Sequence, residues 1–272
     1  MANRRWLSAT SVRCGIWKPE VSILLDFSKN KAMSIVMNFK ERISLITHGC
    51  ASIGVVETFK ALARYALRAK MDDSNYDKRN FTDTAVRISS EELAMSDATA
   101  QSYATGYRTV SERFIRYLIS HLEINYREYD FVDIGCGKGR VLLVASDFPF
   151  RSICGIELSR PAFEIAEKNI RTYRSVHQKC FNIQIRNIDA RCFEPNIGNT
   201  VFYFFEPFDK IILTAVLTKL SSKLRGQGKI IYVVCIWSDL TSVLELFQRL
   251  GFQAIRIRRM VISYLNYAIF AF

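Results

Sequence analysis

The sequence predicts an α/β protein: a doubly wound, mostly parallel seven-strand sheet with an antiparallel hairpin at its C-terminal edge, preceded by a helical N-terminal extension. Three observations carry this. From residue 129 onward, short apolar runs alternate with helical stretches. A glycine-rich turn, Asp133-Ile-Gly-Cys-Gly-Lys-Gly139, stands where the first of those runs passes into the first helix. The last two apolar runs, Phe252 to Arg259 and Val261 to Phe272, follow each other with no helix between them, which is the pattern of a hairpin rather than of a βαβ unit.

Taken in order, residues 1 to 50 mix apolar and basic residues without sustained periodicity and read as irregular or weakly helical. Between Val55 and Lys70, the residues Val55, Phe59, Leu62 and Ala66 fall at helical spacing, with Lys60, Arg64 and Arg68 as a basic lane. The polar stretch from Met71 to Ala100, with Asp72, Asp73, Asn75, Asp77 and Asn80, reads as a linker. This divides the chain into a basic extension, 1–75, and a main domain, 76–272. A helix is expected around Val110 to His121. Strands are then predicted at Tyr129 to Ile134, Ser152 to Glu157, Phe181 to Ile188, Val201 to Phe205 and Lys229 to Trp237. The intervening helices are expected at Arg140 to Asp147, Arg160 to Tyr173, Lys210 to Leu224 and Leu240 to Leu250.

Composition narrows the function classes. No apolar run approaches the roughly 20 residues of a bilayer span, so a soluble protein without a membrane span is expected. Seven cysteines scattered singly, without close pairs, fit a reducing cytoplasm and suggest neither a disulfide framework nor a zinc motif. The three histidines, His48, His121 and His177, have no ligand spacing, and no metal is expected. The net charge is +12, and residues 1 to 70 hold 12 Lys/Arg against 4 Asp/Glu. That surplus is either a solvated face or a surface for a polyanion such as RNA, anionic lipid or an acidic protein.

The glycine turn gains meaning from its position and its partner. At the carboxyl end of a first strand, glycines let the backbone turn sharply and let a ligand approach without interference from a Cβ. Glu157 ends the next strand, 22 residues after Gly135, where a carboxylate can accept from both hydroxyls of a ribose. A dinucleotide site, G-x-G-x-x-G, would place its third glycine where Arg140 stands, whereas here it is Gly139, so the spacing favours a cofactor with a ribose and no pyrophosphate.

Val132-Asp-Ile-Gly-Cys-Gly-Lys-Gly-Arg140 followed by Gly155-Ile-Glu157 resembles the first two motifs of class I S-adenosylmethionine (SAM) dependent methyltransferases. The resemblance implies that Asp133, Gly135, Gly137 and Gly139 hold the methionine part of SAM, Glu157 the ribose, and Asp189 the adenine, although an Asp after a strand also serves as a turn former or cap. A second resemblance spans about 75 to 240: Tyr76-Asp77-Lys78, Thr82-Asp-Thr84, Tyr107 and Phe204-Phe-Glu-Pro-Phe208 are similar to a bacterial group of methyltransferase-domain proteins, and more distantly to the seven-strand histone lysine methyltransferases. That group has Asn-Pro-Phe where this chain has Glu206-Pro207-Phe208, a departure that speaks against amine methylation.

Glu206, at the end of the fourth strand, is the candidate general base; the competing reading is a cap for the helix beginning near Asp209. Tyr107, Pro207 and Phe208 are candidate acceptor contacts. Tyr103 and Tyr107 either cover the cofactor or act as a hydrophobic staple. The expected activity is methyl transfer to an N or O atom of a protein or small molecule. RNA methylation and SAM binding without catalysis are the alternatives.

Overall fold

The computed structural model describes residues 75–86, 109–195, 198–225, 230–258 and 266–272, together with Val55, Ile88 and Tyr107. By compactness the chain divides into Met1–Ala66 and Leu67–Phe272, and the described residues other than Val55 belong to the second unit. The predicted helix over 55–70 and its basic lane therefore lie outside the described residues, apart from a helical Val55, as do Tyr103 and the structure of the basic extension.

The second unit is built on seven strands: β1 (Asp130–Ile134), β2 (Ser152–Glu157), β3 (Ile183–Asn187), β4 (Thr200–Phe205), β5 (Ile231–Ile236), β6 (Gln253–Arg258) and β7 (Tyr267–Ala271). They lie in the order β3-β2-β1-β4-β5-β7-β6. Strands β1 to β5 pair in parallel, and β7 runs antiparallel to both β5 and β6. The predicted hairpin is present, but its second strand is the inner one. This follows from burial: β7, Tyr-Ala-Ile-Phe-Ala, is apolar on both faces and is covered, whereas β6, Gln-Ala-Ile-Arg-Ile-Arg, alternates polar and apolar residues and tolerates the edge.

Among the described residues from 75 onward, six α-helices accompany the sheet: α1 (Tyr76–Asn80), α2 (Glu112–Ser120), α3 (Arg140–Ala145), α4 (Arg160–Thr172), α5 (Lys210–Leu224) and α6 (Leu240–Arg249). Their starts are chemically marked. Ser111, Ser159, Asp209 and Asp239 each accept a backbone N–H of the first turn, and Pro161 follows the cap of α4. One core lies between the sheet and α2–α3, with Ile115, Leu118, Phe131, Leu142 and Ile269 among its buried residues. The other lies under α5–α6, with Phe202, Leu213, Leu217, Val243 and Phe247. Among the described residues no helix is long and apolar enough to cross a membrane.

The polar stretch read as a linker is not one over residues 75–86. Tyr76, Asn80 and Thr84 are buried there. The acidic and hydroxyl side chains that suggested solvent instead bond one another and the main domain, and composition alone does not separate these two uses of polar residues.

Candidate functional site

The strand order reverses between β1 and β4, so the connections leaving their carboxyl ends diverge and leave a crevice. The glycine turn enters it from β1. Gly135, Gly137 and Gly139 all have positive φ, at 79°, 53° and 85°. Side-chain-bearing residues rarely hold three such positions in five. The turn is pinned to β2 by Gly135 N–H and Cys136 N–H, which both donate to the carbonyl of Ile156 at 2.9 and 3.0 Å.

Sequence reasoning assigned the missing Cβ atoms to the approach of a ligand. The structure gives them protein neighbours. A Cβ on Gly135 would overlap the ring of Pro207, and one on Gly137 would overlap the ring of Tyr107. These contacts bring the Glu206-Pro207-Phe208 turn and Tyr107 against the glycine turn, so residues far apart in sequence converge on one crevice.

Glu157 ends β2 beside the same turn. Its carboxylate accepts from Gly137 N–H and from Ser159 N–H, both at 2.8 Å. Each oxygen retains acceptor capacity for a further donor. Burial pushes the Glu157 carboxyl above its ordinary range despite these amides. Asp133, on β1 in register with Gly155 of β2 and Tyr203 of β4, is 2% exposed. Burial and then the neighbouring Glu157 raise its carboxyl well above the usual range, and no hydrogen bond among the described residues offsets them. Two neighbouring buried carboxyl groups are an acceptor-rich pair that favours a cationic or hydroxyl-bearing ligand.

Glu206 lies at the carboxyl end of β4 in a left-handed conformation, φ 40°. Its N–H donates to the Ile236 carbonyl at 3.1 Å. Its carboxylate accepts from the Ser238 hydroxyl and, at 3.4 Å, from Ser238 N–H. It does not cap α5. That role falls to Asp209, whose carboxylate accepts from Ile211 N–H at 2.9 Å and Ile212 N–H at 3.1 Å. Ser238 carried no signal in the sequence, because its partnership with Glu206 arises only when β4 and β5 are paired.

The remaining expected residues are dispersed around this centre. Asp189 caps a short 3₁₀ turn, Ala190–Cys192, and its carboxylate is taken up by Arg191 N–H and the Arg191 guanidinium. Phe208 is half-buried against the α5–α6 core, which leaves only part of its ring for an acceptor. No group of three or more metal-ligating side chains occurs among the described residues.

Residues 127–249, from the approach to β1 through the end of α6, match a family model described as "Putative methyltransferase". The matched segment covers less than half of the chain. It contains the glycine turn, Glu157, Asp189 and Glu206, whereas residues 75–86 and Tyr107 precede it. No curated protein sequence matches the chain.

Solved structures that resemble it include a ribosomal protein L11 methylase from Lactobacillus delbrueckii subsp. bulgaricus, 15% identical over 62% of this chain and 80% of that one, with a TM-score of 0.44. A precorrin-6y C5,15-methyltransferase from Geobacter metallireducens GS-15 is 15% identical over 60% and 89% of the two chains, with a TM-score of 0.46.

Proposed function

We propose that the chain is a SAM-dependent methyltransferase acting on an N or O atom of a protein or small molecule. The observation that carries the reading is the convergence of Asp133, Glu157 and the left-handed glycine turn at the reversal of strand order, inside the segment that matches the family model. The residues fit the cofactor chemically. Asp133 is a buried acceptor with no donor among the described residues, suited to a ligand ammonium, and Glu157 keeps acceptor capacity for ribose hydroxyls.

Bound SAM would supply a methyl group already activated on a sulfonium, so the protein's task is positioning. Asp133 and Glu157 would fix the cofactor from the β1–β2 side. Glu206, brought to the glycine turn through Pro207, would face the acceptor, orienting it and receiving its proton if it arrives protonated. Ser238 limits the rotation of the Glu206 carboxylate by donating to it.

Calorimetric titration with SAM and with S-adenosylhomocysteine (SAH) tests the first half of this reading. Binding of both is expected, and no heat from a folded sample at high micromolar ligand would reject it. Incubation with methyl-labelled SAM and fractionated cell extract tests the second half, with label expected in protein or small molecules; label confined to RNA would replace the acceptor assignment.

A further inference from the structure

Residues 75–86, which precede the segment that matches the family model, form a polar strap, and several of its links end on the glycine turn or on the Arg140 that follows it. Asp77 is the hub. Its carboxylate accepts from Thr82 Oγ1 at 2.8 Å, Thr84 N–H at 2.9 Å, Thr84 Oγ1 at 2.7 Å and Ala85 N–H at 2.7 Å. Thr84 is fully buried, and the hydroxyl that donates to Asp77 accepts Arg140 Nε at 2.6 Å. Arg140 directly follows Gly139, and its guanidinium lies over the Tyr76 ring, 4.3 Å from the centroid.

Three further links run in parallel. The Thr84 carbonyl accepts the Tyr107 hydroxyl at 2.7 Å, which holds that ring against Gly137. Buried Asn169 on α4 donates to the carbonyls of Lys138 and Asp83, at 2.9 and 3.0 Å, and accepts Asp83 N–H at 2.8 Å. Lys138 Nζ reaches the Asp83 carboxylate at 3.2 Å.

Gly137, Lys138 and Arg140 are thus each held from the strap, and Gly137 is the residue whose N–H meets Glu157. Joining a strap to a domain needs only apolar contact. A buried threonine relaying between a carboxylate and a guanidinium instead fixes direction as well as distance.

We propose that Asp77 and Thr84 are positioning residues of the cofactor site, holding the glycine turn through Arg140 and the Tyr107 ring across Gly137 as one wall of the cofactor pocket. This rests on the SAM-binding reading above. Thr84→Val keeps the shape and removes the relay, Thr84→Ser restores the hydroxyl, and Asp77→Asn weakens the hub.

The test is calorimetry of SAH on the full chain, with melting temperatures measured in parallel and titrations run well below the transition. Thr84→Val and Asp77→Asn should each weaken SAH binding by about 10-fold or more, as loss of an aligned charged hydrogen bond predicts. Thr84→Ser should stay within about 3-fold of the parent, since the hydroxyl and its bonds remain.

A lowered melting temperature with parental SAH affinity in Thr84→Val would overturn the proposal, because a purely structural strap gives that result. If Thr84→Val does not fold, Tyr107→Phe decides: weakened binding supports the proposal and unchanged binding overturns it. If the parent chain itself takes up no SAH, the cofactor reading is rejected and the positioning role with it, an outcome distinct from a parent that binds and variants that bind equally.

Discussion

At the scale of single residues, the site is built from side chains that oppose the stability of the empty fold. Asp133 is buried beside Glu157 with both carboxyl groups raised by burial. For such groups the native state holds protons more tightly than the unfolded chain. Stability therefore falls as pH rises from the unfolded carboxylate range, near 4, through the higher folded values. Asp133→Asn removes one of the two charges. It should raise the melting temperature by a few degrees, of the order that about 1 kcal/mol produces, while lowering SAM affinity roughly 10-fold or more. Differential scanning calorimetry and titration on one preparation check both, and a variant that loses stability would show that the carboxylate is structurally required.

Glu206 poses a second opposition at the same scale, because a side-chain-bearing residue at φ 40° costs roughly 1 kcal/mol relative to glycine. Glu206→Gly relieves this cost but also removes the hydrogen bonds from Ser238 and adds chain entropy, so the melting temperature should change little. Glu206→Gln, which keeps both backbone and shape, should leave SAM affinity intact and reduce turnover by roughly 10² to 10⁴. Full turnover in Glu206→Gln would remove it from the chemistry.

At the scale of elements, the division of labour between Glu206 and Asp209 gives a clean control. Asp209 caps α5, and its replacement by Ala should cost about 1 kcal/mol of stability in a thermal melt with no change in SAH affinity. The α1 strap behaves differently from a helix cap because its carboxylate is surrounded by donors. Burial alone would raise the Asp77 carboxyl, but hydrogen bonds from the Thr84 and Thr82 hydroxyls and from Thr84 and Ala85 N–H outweigh it and hold the group below its ordinary value. The stability it contributes is present above about pH 4, the unfolded value, and is lost as pH falls through the lower folded one. Acid should therefore release the strap while it relieves the repulsion between Asp133 and Glu157. Hydrogen exchange of the Thr84 and Ala85 amides at pH 3 against pH 6 would show whether that local release precedes global unfolding.

At the scale of the whole molecule, the charge surplus and the site fall in different parts of the chain. Residues 1 to 70 hold 12 basic against 4 acidic residues, and the residues proposed to contact the cofactor directly, Asp133, the three glycines, Glu157 and Asp189, all follow residue 130. A chain beginning at Leu67, where the second compact unit starts, should keep the parental SAH affinity. A loss as severe as that caused by Gly137→Ala would show that the extension helps to build the pocket. The sheet itself was legible from sequence because its signals are local: apolar runs of strand length, helices opened by Ser159, Asp209 and Asp239, and a glycine turn that few other backbones accept. The sequence by itself thus determined the α/β architecture, the antiparallel C-terminal pair, and that Asp133, Glu157 and the three glycines gather where the first two strands end. Only the tertiary structure decided that β7 is the inner strand, that Asp209 and not Glu206 caps α5, that Pro207 and Tyr107 occupy the space left by the glycines, and that Asp77 and Thr84 reach the turn at all. The physical reason is range. Caps, turns and periodicity act within a few residues, whereas the contacts that fix the site join groups tens of residues apart, and no local pattern records which distant partner a buried polar side chain will find.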